Sequence, residues 1–209
     1  MIKLTAIKEE NAHFQLTLSD NRKLSIPPET AIEHKLVSGI VLTDSQVEIL
    51  LQADDLFRCM AKAKQYLANR GHSTGELKLK LKKKAFAEES ITKVINKLTQ
   101  LDFLNDREYA LAIGEKLLNR KPCGKPFLSS FLQSKSISRD LAEQTAQMLY
   151  QNRDISQLAV DALSKKWYMY NDLELEDARN KSYNYLARRG FTYETAKTAF
   201  ETILKEKKD

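Results

Sequence analysis

The side chains with the greatest capacity for chemistry in this sequence are its basic groups, which cluster in the middle of the chain. Residues 62–97 alone contain ten lysines and arginines against three acids, and Lys82, Lys83 and Lys84 are consecutive. Such a cluster attracts polyanions or acidic protein surfaces, and it breaks no bonds by itself. The pattern therefore favours a binding function over a catalytic one.

No arrangement of residues in the sequence suggests a catalytic or metal site. The histidines form no HExxH motif and have no cysteine at metal-ligand spacing; they are His13, His34 and His72. The segment 123–126, Cys-Gly-Lys-Pro, falls short of a phosphate-binding loop because it lacks the upstream glycine and the Ser or Thr after lysine. We therefore predict a protein that is not an enzyme and that uses neither a metal nor a cofactor.

The charge of the chain changes sign along its length. Residues 1–56 carry five basic and nine acidic residues, whereas the remaining 153 residues carry 29 and 19, which gives the formal net charge of +6. Such an asymmetry predicts two kinds of module, the basic one with a polyanionic partner.

Several features bear on the cellular compartment. No apolar run approaches the ~20 residues that span a bilayer, and the opening MIKLTAIKEE is too charged for a signal peptide. The two cysteines, Cys59 and Cys123, are far apart and have no CxxC companion. We expect a cytoplasmic protein without membrane contact and with buried free thiols.

The first residues have the pattern of a small sheet. Apolar and polar residues alternate from Phe14 to Leu18 and from Leu24 to Ile26, on either side of an Asp-Asn turn, which predicts a hairpin. The opening MIKLTAI is a plausible third strand, and everything after about residue 29 has a helical pattern.

The helical part contains an internal repeat. The windows 81–98, 132–149 and 186–203 align without gaps, at offsets of 51 and 54 residues. Each window predicts a helix pair preceded by another helix, and hence three tandem three-helix units. The predicted divisions are a β-containing extension with the start of a linking helix at 1–55, then repeats at 56–104, 105–153 and 154–209. The predicted fold class is mainly α, with a small N-terminal β-hairpin or sheet.

The stretch GELKLKLKKKAF, residues 75–86, first suggests a strand because leucine and lysine alternate. The repeat alignment instead places Leu77 and Leu81 on one helix face, with Leu79 exposed on another. The prediction is a helix that begins near Thr74.

One basic position recurs in all three repeats, at Lys84, Lys135 and Arg189. Basic residues near helix C-termini also interact favourably with the helix dipole and need no ligand, which is the alternative for any single lysine. A recurring position predicts a positive, discontinuous stripe. The candidate partner- or nucleic-acid-binding residues are Lys78, Lys82, Lys83, Lys84, Arg120, Lys121, Lys125, Lys135, Arg188 and Arg189.

Three stretches together are typical of one known family. They are 66-YLANRGHSTGELKLKLKKKAF-86, 101-LDFLNDREYA-110 with 120-RKPCGKPFLSSFLQSKSI-137, and 186-LARRGF-191. On these motifs, over roughly residues 57–204, the chain resembles the RecX regulators of the bacterial recombinase RecA. It departs from the family pattern where Ala85 and Ser136 replace a usual glycine, which Gly190 keeps, and where Phe127 replaces a polar or basic residue.

The resemblance implies an elongated, curved array of three-helix repeats, and we expect the protein to be a monomer. It also implies binding to RecA in the groove of its filament on single-stranded DNA, with restraint of RecA's ATPase, strand-exchange and coprotease activities. Those activities belong to recombination, DNA repair and the SOS response. The candidate basic residues would meet acidic RecA surface or nearby phosphates, with Leu79 and Phe127 as exposed apolar anchors.

A second interpretation needs no RecA. Three-helix units can dock on DNA, and Arg188 and Arg189 would then combine charge with the stacking rings of Tyr185 and Tyr193. A third interpretation is a helical scaffold for some other protein.

Overall fold

The computed structural model describes residues 1–206, which form two compact units. The first unit is Met1–Leu104 and the second begins at Asn105. The first contains an antiparallel sheet at the N-terminus, and helices make up the rest of both. This confirms the predicted fold class. The finer division into an extension and three repeats stays a prediction.

The N-terminal sheet has four antiparallel strands in the order β3-β2-β1-β4. They are β1 (Ile2–Glu10), β2 (His13–Leu18), β3 (Lys23–Ile26) and β4 (Val41–Leu42), with α1 (Pro28–Glu33) between β3 and β4. The predicted hairpin is confirmed, and Asn21 at its turn has a φ of 66°. The expectation of helix throughout the chain after residue 29 is wrong at β4. That strand forms because it pairs with β1. It has only two residues, which is too few to show the alternation of apolar and polar residues that predicts a strand.

The sheet packs on the long helix α2 (Asp44–Asn69) within the first unit. The Ser25 backbone N–H donates to the Asp54 carboxylate at 2.7 Å, and the His13 and Phe57 ring centroids are 5.0 Å apart. Thr43 begins α2 with a capping box, in which its side chain and that of Gln46 bond to each other's backbone N–H. A hairpin is marginal by itself, so this packing against α2 stabilises the extension.

Two shorter helices complete the first unit, α3 (Thr74–Lys82) and α4 (Glu88–Gln100). Stretch 75–86 is therefore helical as predicted as far as Lys82, with Leu77 and Leu81 fully buried and Leu79 53% exposed. The Ser73 hydroxyl caps α3 by accepting from the Glu76 N–H at 3.0 Å. Ala87 cannot cap α4 with its side chain, and the Asp55 carboxylate of α2 accepts from the Ala87 N–H at 3.1 Å instead.

The described part of the second unit, residues 105–206, contains six helices. They are α5 (Asp106–Arg120), α6 (Lys125–Ser134), α7 (Arg139–Tyr150), α8 (Ile155–Trp167), α9 (Leu175–Arg188) and α10 (Tyr193–Glu206). Equivalent positions of the repeat have equivalent surroundings: Leu81, Leu132 and Leu186 are each fully buried in a separate core. The sequence repeat therefore reflects a core position that recurs in each set of three helices.

A residue in the left-handed conformation follows the second helix in each set of three, namely α3, α6 and α9. Its φ is 59° at Ala85, 60° at Ser136 and 79° at Gly190. This conformation destabilises a residue with a Cβ by about 1–2 kcal/mol, whereas glycine adopts it freely. The departures of the sequence from glycine at Ala85 and Ser136 therefore leave the fold intact while they strain its turns.

Replacing Ala85 with glycine should raise the free energy of unfolding by about 0.5–1 kcal/mol, because relief of the left-handed strain exceeds the added chain entropy. Urea unfolding followed by circular dichroism measures the change. The matched control is Ala61→Gly, at an exposed position inside α2. It should lower stability by about 1 kcal/mol. The same sign for both variants would contradict the argument.

Candidate partner-binding surface

The candidate basic residues fall in both units. Four lie on α3 or just beyond its end in the first unit, namely Lys78, Lys82, Lys83 and Lys84. The other six lie in the second unit, on or beside α5, α6 and α9. Within each group the surroundings of the side chains decide which charges remain available to a partner.

Two lysines of α3 are engaged locally. The ammonium groups of Lys78 and Lys82 lie 2.7 and 2.9 Å from the carboxylate of Glu88, in the first turn of α4. These contacts hold the pKa of the Glu88 carboxyl below its usual value, with the Lys78 hydrogen bond contributing most. Glu88 therefore connects α4 to α3, and its carboxylate already neutralises part of the charge of Lys78 and Lys82.

Lys83 and Lys84 differ from their neighbours. Both are exposed, and across residues 1–206 neither makes an ion pair. They follow the last turn of α3 beside the exposed Leu79 on the same helix. We call Leu79, Lys83 and Lys84 the α3 end surface, which combines two available cations with an exposed apolar side chain.

The recurring basic position has different surroundings in the second unit. The Lys135 ammonium lies 5.4 Å from the Phe131 ring centroid, and the Arg189 guanidinium lies 5.0 Å from that of Tyr185. Each is a cation–π contact with the aromatic residue one turn earlier. The first unit has Lys80 at the aromatic position, so this contact has no counterpart at Lys84.

Arg189 has a further structural role. Its guanidinium donates to the Pro122 carbonyl at 3.2 Å, and its own carbonyl accepts from the Gly124 N–H at 2.7 Å. These bonds join the end of α9 to the segment before α6. Arg189 is therefore half-buried and partnered, whereas Arg188 beside it is exposed.

Two candidate residues of the second unit, Arg120 and Lys121, line a groove between α5 and α6. Its floor is apolar, and its rim carries Lys116, which sequence reasoning missed, together with Arg120 and Lys121. The floor residues are Ile113, Leu117 and Phe131, and the volume is about 290 Å³. We call these six residues the α5–α6 groove. Ile113, Lys116, Leu117 and Arg120 follow the i, i+3, i+4, i+7 rule, so helical spacing is the signal that identifies Lys116.

Lys125 belongs to neither surface. It is the first residue of α6, and its ammonium bonds to the Gln147 side-chain carbonyl on α7. Phe127, predicted as an exposed anchor, is half-buried in the core of the second unit, and its backbone lies against Gly190. That prediction is wrong because the turn after α9 covers this part of α6.

A buried polar cluster at the start of α3 was also missed. His72 is only 3% exposed; its Nε2 lies 2.7 Å from the Lys80 ammonium and its Nδ1 lies 2.9 Å from the Arg70 carbonyl. An ammonium only donates and a carbonyl only accepts, so His72 is neutral with its proton on Nδ1. Burial, with the charges of Arg70 and Lys80 adding to it, lowers the pKa of His72.

Because the folded pKa of His72 is lowered, the unfolded chain binds this proton more readily. The stability present above the unfolded value of about 6.5 should therefore fall as pH drops below that value towards the folded pKa. Urea unfolding between neutral and mildly acidic pH measures the loss. His72→Gln should remove this part of the pH dependence, and the control His34→Gln, which leaves His72 in place, should retain it. An unchanged dependence in His72→Gln would contradict the assignment.

The cysteines do not form a reactive site. Both are free and buried, as predicted. Burial raises the pKa of Cys59 to about 11, with the nearby Asp55 charge adding to the effect, so its thiol stays protonated near neutral pH. Within residues 1–206, no three potential metal ligands lie together, and no helix there has the length and hydropathy that crossing a membrane requires.

Comparison with protein families identifies the helical trios. The family model for the first three-helix domain of RecX matches residues 59–98, and that for the third three-helix domain matches residues 154–200. The chain belongs to the RecX family. The first RecX match contains Lys78, Lys82, Lys83 and Lys84, and the second contains Arg188 and Arg189.

Relatives and solved structures extend the similarity to RecX over nearly the whole chain. The protein named "Regulatory protein RecX" from Bacillus subtilis (strain 168) is 24% identical over 201 residues, covering 96% of this chain and 76% of the relative. The same name is carried by a Streptococcus gordonii protein that is 25% identical over 202 residues, covering 97% and 77%.

Two solved RecX structures have the same fold. A crystal structure of regulatory protein RecX superposes with a TM-score of 0.74 at 18% identity, covering 96% of this chain and 100% of that chain. RecX from Lactobacillus salivarius gives a TM-score of 0.62 at 27% identity, covering 72% and 97%.

Proposed function

We propose that this protein is a non-enzymatic regulator that binds RecA on single-stranded DNA and restrains its ATPase, strand-exchange and coprotease activities. Membership of the RecX family, whose matched relatives are named regulatory proteins, carries the proposal. We further propose that it acts in the cytoplasm as a monomer, in the groove of the RecA filament, during recombination and DNA repair.

The α3 end surface is the part of the first unit best suited to such contacts. Its two available lysines suit an acidic protein surface or phosphates, and Leu79 provides an apolar side chain that a partner can desolvate. In the second unit the α5–α6 groove and Arg188 offer further basic groups that form no ion pair with any residue from 1 to 206. The proposed contact residues therefore exclude Arg189 and Phe127, which serve the packing of the second unit.

The direct experiment measures ATP turnover by RecA on single-stranded DNA with increasing amounts of this protein. Turnover should fall as the protein is added, and the protein without RecA should hydrolyse no ATP. Unchanged turnover at saturating protein would contradict regulation of RecA and would favour a scaffold for another partner.

Direct binding of nucleic acid without RecA remains a second proposal, supported by the exposure of Tyr193, at 68%, and of Arg188. The structure weakens the predicted stacking pair, because Tyr185 is buried and donates its hydroxyl to the Ala162 carbonyl at 3.2 Å. Titration with single-stranded DNA over a range of salt separates the two proposals. Tight binding with a steep salt dependence supports direct recognition, and binding that tightens only on a RecA filament supports regulation of RecA.

A further inference from the structure

The α5–α6 groove has a floor suited to aliphatic side chains. Ile113 and Leu117 are half-buried and lie one turn apart on α5, and Phe131 of α6 completes the floor. Its volume of about 290 Å³ is just below the ~300–1,000 Å³ range of small-molecule pockets. A recess of this size accommodates apolar side chains of a peptide better than a whole cofactor.

The rim of the groove is positive. Lys116, Arg120 and Lys121 are exposed, and no acid among residues 1–206 lines the groove. Glu115, the acid beside Lys116 in the sequence, is engaged by the Arg153 guanidinium at 2.6 Å. A further cation lies close by, since the Lys165 ammonium contacts the Arg120 carbonyl at 3.4 Å. Carboxylates around an apolar anchor complement this arrangement.

The aromatic side chain of the groove favours a peptide over nucleic acid. Single-stranded nucleic acid is bound through stacking of its bases on free aromatic faces. Among the described residues Phe131 is the one ring in the lining, and the Lys135 ammonium lies over it at 5.4 Å from the centroid. The rest of the floor is aliphatic, so the groove provides more contact for leucine-like side chains than for stacked bases.

We propose that the α5–α6 groove docks an acidic peptide segment that inserts one or two large apolar side chains between Ile113, Leu117 and Phe131. Its carboxylates pair with Lys116, Arg120 and Lys121 at the rim. The proposal goes beyond regulation of RecA, because it concerns the chemistry of the docked segment and does not require that RecA carries it.

Fluorescence anisotropy tests the proposal with the full chain and a short labelled peptide in which glutamates and aspartates surround a pair of leucines. The peptide should bind, and its affinity should fall about tenfold or more for Lys116→Glu with Lys121→Glu. A peptide with serines in place of the leucines should also bind about tenfold more weakly, because it lacks the apolar anchors. The control Lys181→Glu with Lys197→Glu makes the same charge change at exposed positions on α9 and α10 and should retain binding.

Two results would overturn the proposal. One is equal affinity of the acidic peptide for the wild type and for the Lys116→Glu, Lys121→Glu variant, after circular dichroism shows that both are folded. The other is loss of oligo-deoxythymidine binding in that variant when the peptide binds neither protein, which would assign the groove to nucleic acid. Neither result depends on RecA, so inhibition of RecA's ATPase by the wild type would leave the proposed function standing.

Discussion

Gly124→Ala is expected to lower the free energy of unfolding by about 3 kcal/mol or more, because added atoms in a packed site force the surrounding backbone apart. A Cβ at position 124 would lie 1.9 Å from the carbonyl oxygen of Gly190 and 3.0 Å from the Phe191 nitrogen. Both neighbours are backbone atoms, so no side-chain rotation relieves the overlap. The start of α6 and the turn after α9 would separate.

The conformation of Gly124 itself requires no glycine, since its φ of −78° and ψ of 161° suit any residue. The expected loss is therefore steric, with loss of the Gly124 N–H bond to the Arg189 carbonyl added to it. Urea unfolding of the wild type and the variant measures the change.

Gly39→Ala is the matched control, because Gly39 has a φ of +90° and open space where a Cβ would be placed. Its free energy of unfolding should fall by about 1–2 kcal/mol, because alanine is strained in the left-handed conformation. A smaller loss for Gly124→Ala than for Gly39→Ala would show that the close backbone contact is absent in solution.

Reversal of both available charges on the α3 end surface, Lys83→Glu with Lys84→Glu, should raise the concentration needed to inhibit RecA about tenfold or more. Two new carboxylates at this position would repel an acidic protein surface or a phosphate, and about 1.4 kcal/mol corresponds to each factor of ten. Because both lysines are exposed and form no ion pair within residues 1–206, the variant should keep its helical circular dichroism. RecA ATP turnover on single-stranded DNA measures the effect.

The control for this experiment is Lys64→Glu with Lys97→Glu in the same unit. Both lysines are exposed, and Lys97 also lies in the last turn of a helix, so the change in helix-dipole interaction is matched. Equal inhibition by the two double variants would place the contact surface elsewhere. Reversal at Arg189 is not a comparable test, since it removes the bond to the Pro122 carbonyl and the contact with Tyr185.

Features encoded by local spacing were predictable from the sequence. The apolar period placed Leu77 and Leu81 inside and Leu79 outside, and the structure agrees. The hairpin of β2 and β3 was also predicted, since it depends on residues close together in the chain. The repeat windows aligned because Leu81, Leu132 and Leu186 occupy the same kind of core position.

Features that depend on distant neighbours were not predictable in the same way. At the position after the second helix, the family's usual glycine is present only as Gly190, whereas Ala85 and Ser136 occupy the equivalent positions. The sequence contains no reason for this difference. In the structure a Cβ at position 190 would lie 2.9 Å from the Phe127 nitrogen. His72 lies in the short loop before α3, where the sequence gives no sign of burial, yet contacts from α2 and α3 bury it.

The sequence by itself therefore determined the helical repeat, the N-terminal hairpin and the basic character of the candidate surface, because these follow from the order of side chains along each helix or strand. Only the tertiary structure decided which cations face solvent. Glu88 pairs with Lys78 and Lys82, and the Pro122 carbonyl holds Arg189, whereas Lys116 joins a groove with residues of α6. Pairing partners come from other helices, so availability of a charge is set by packing and is not visible in its position along the chain.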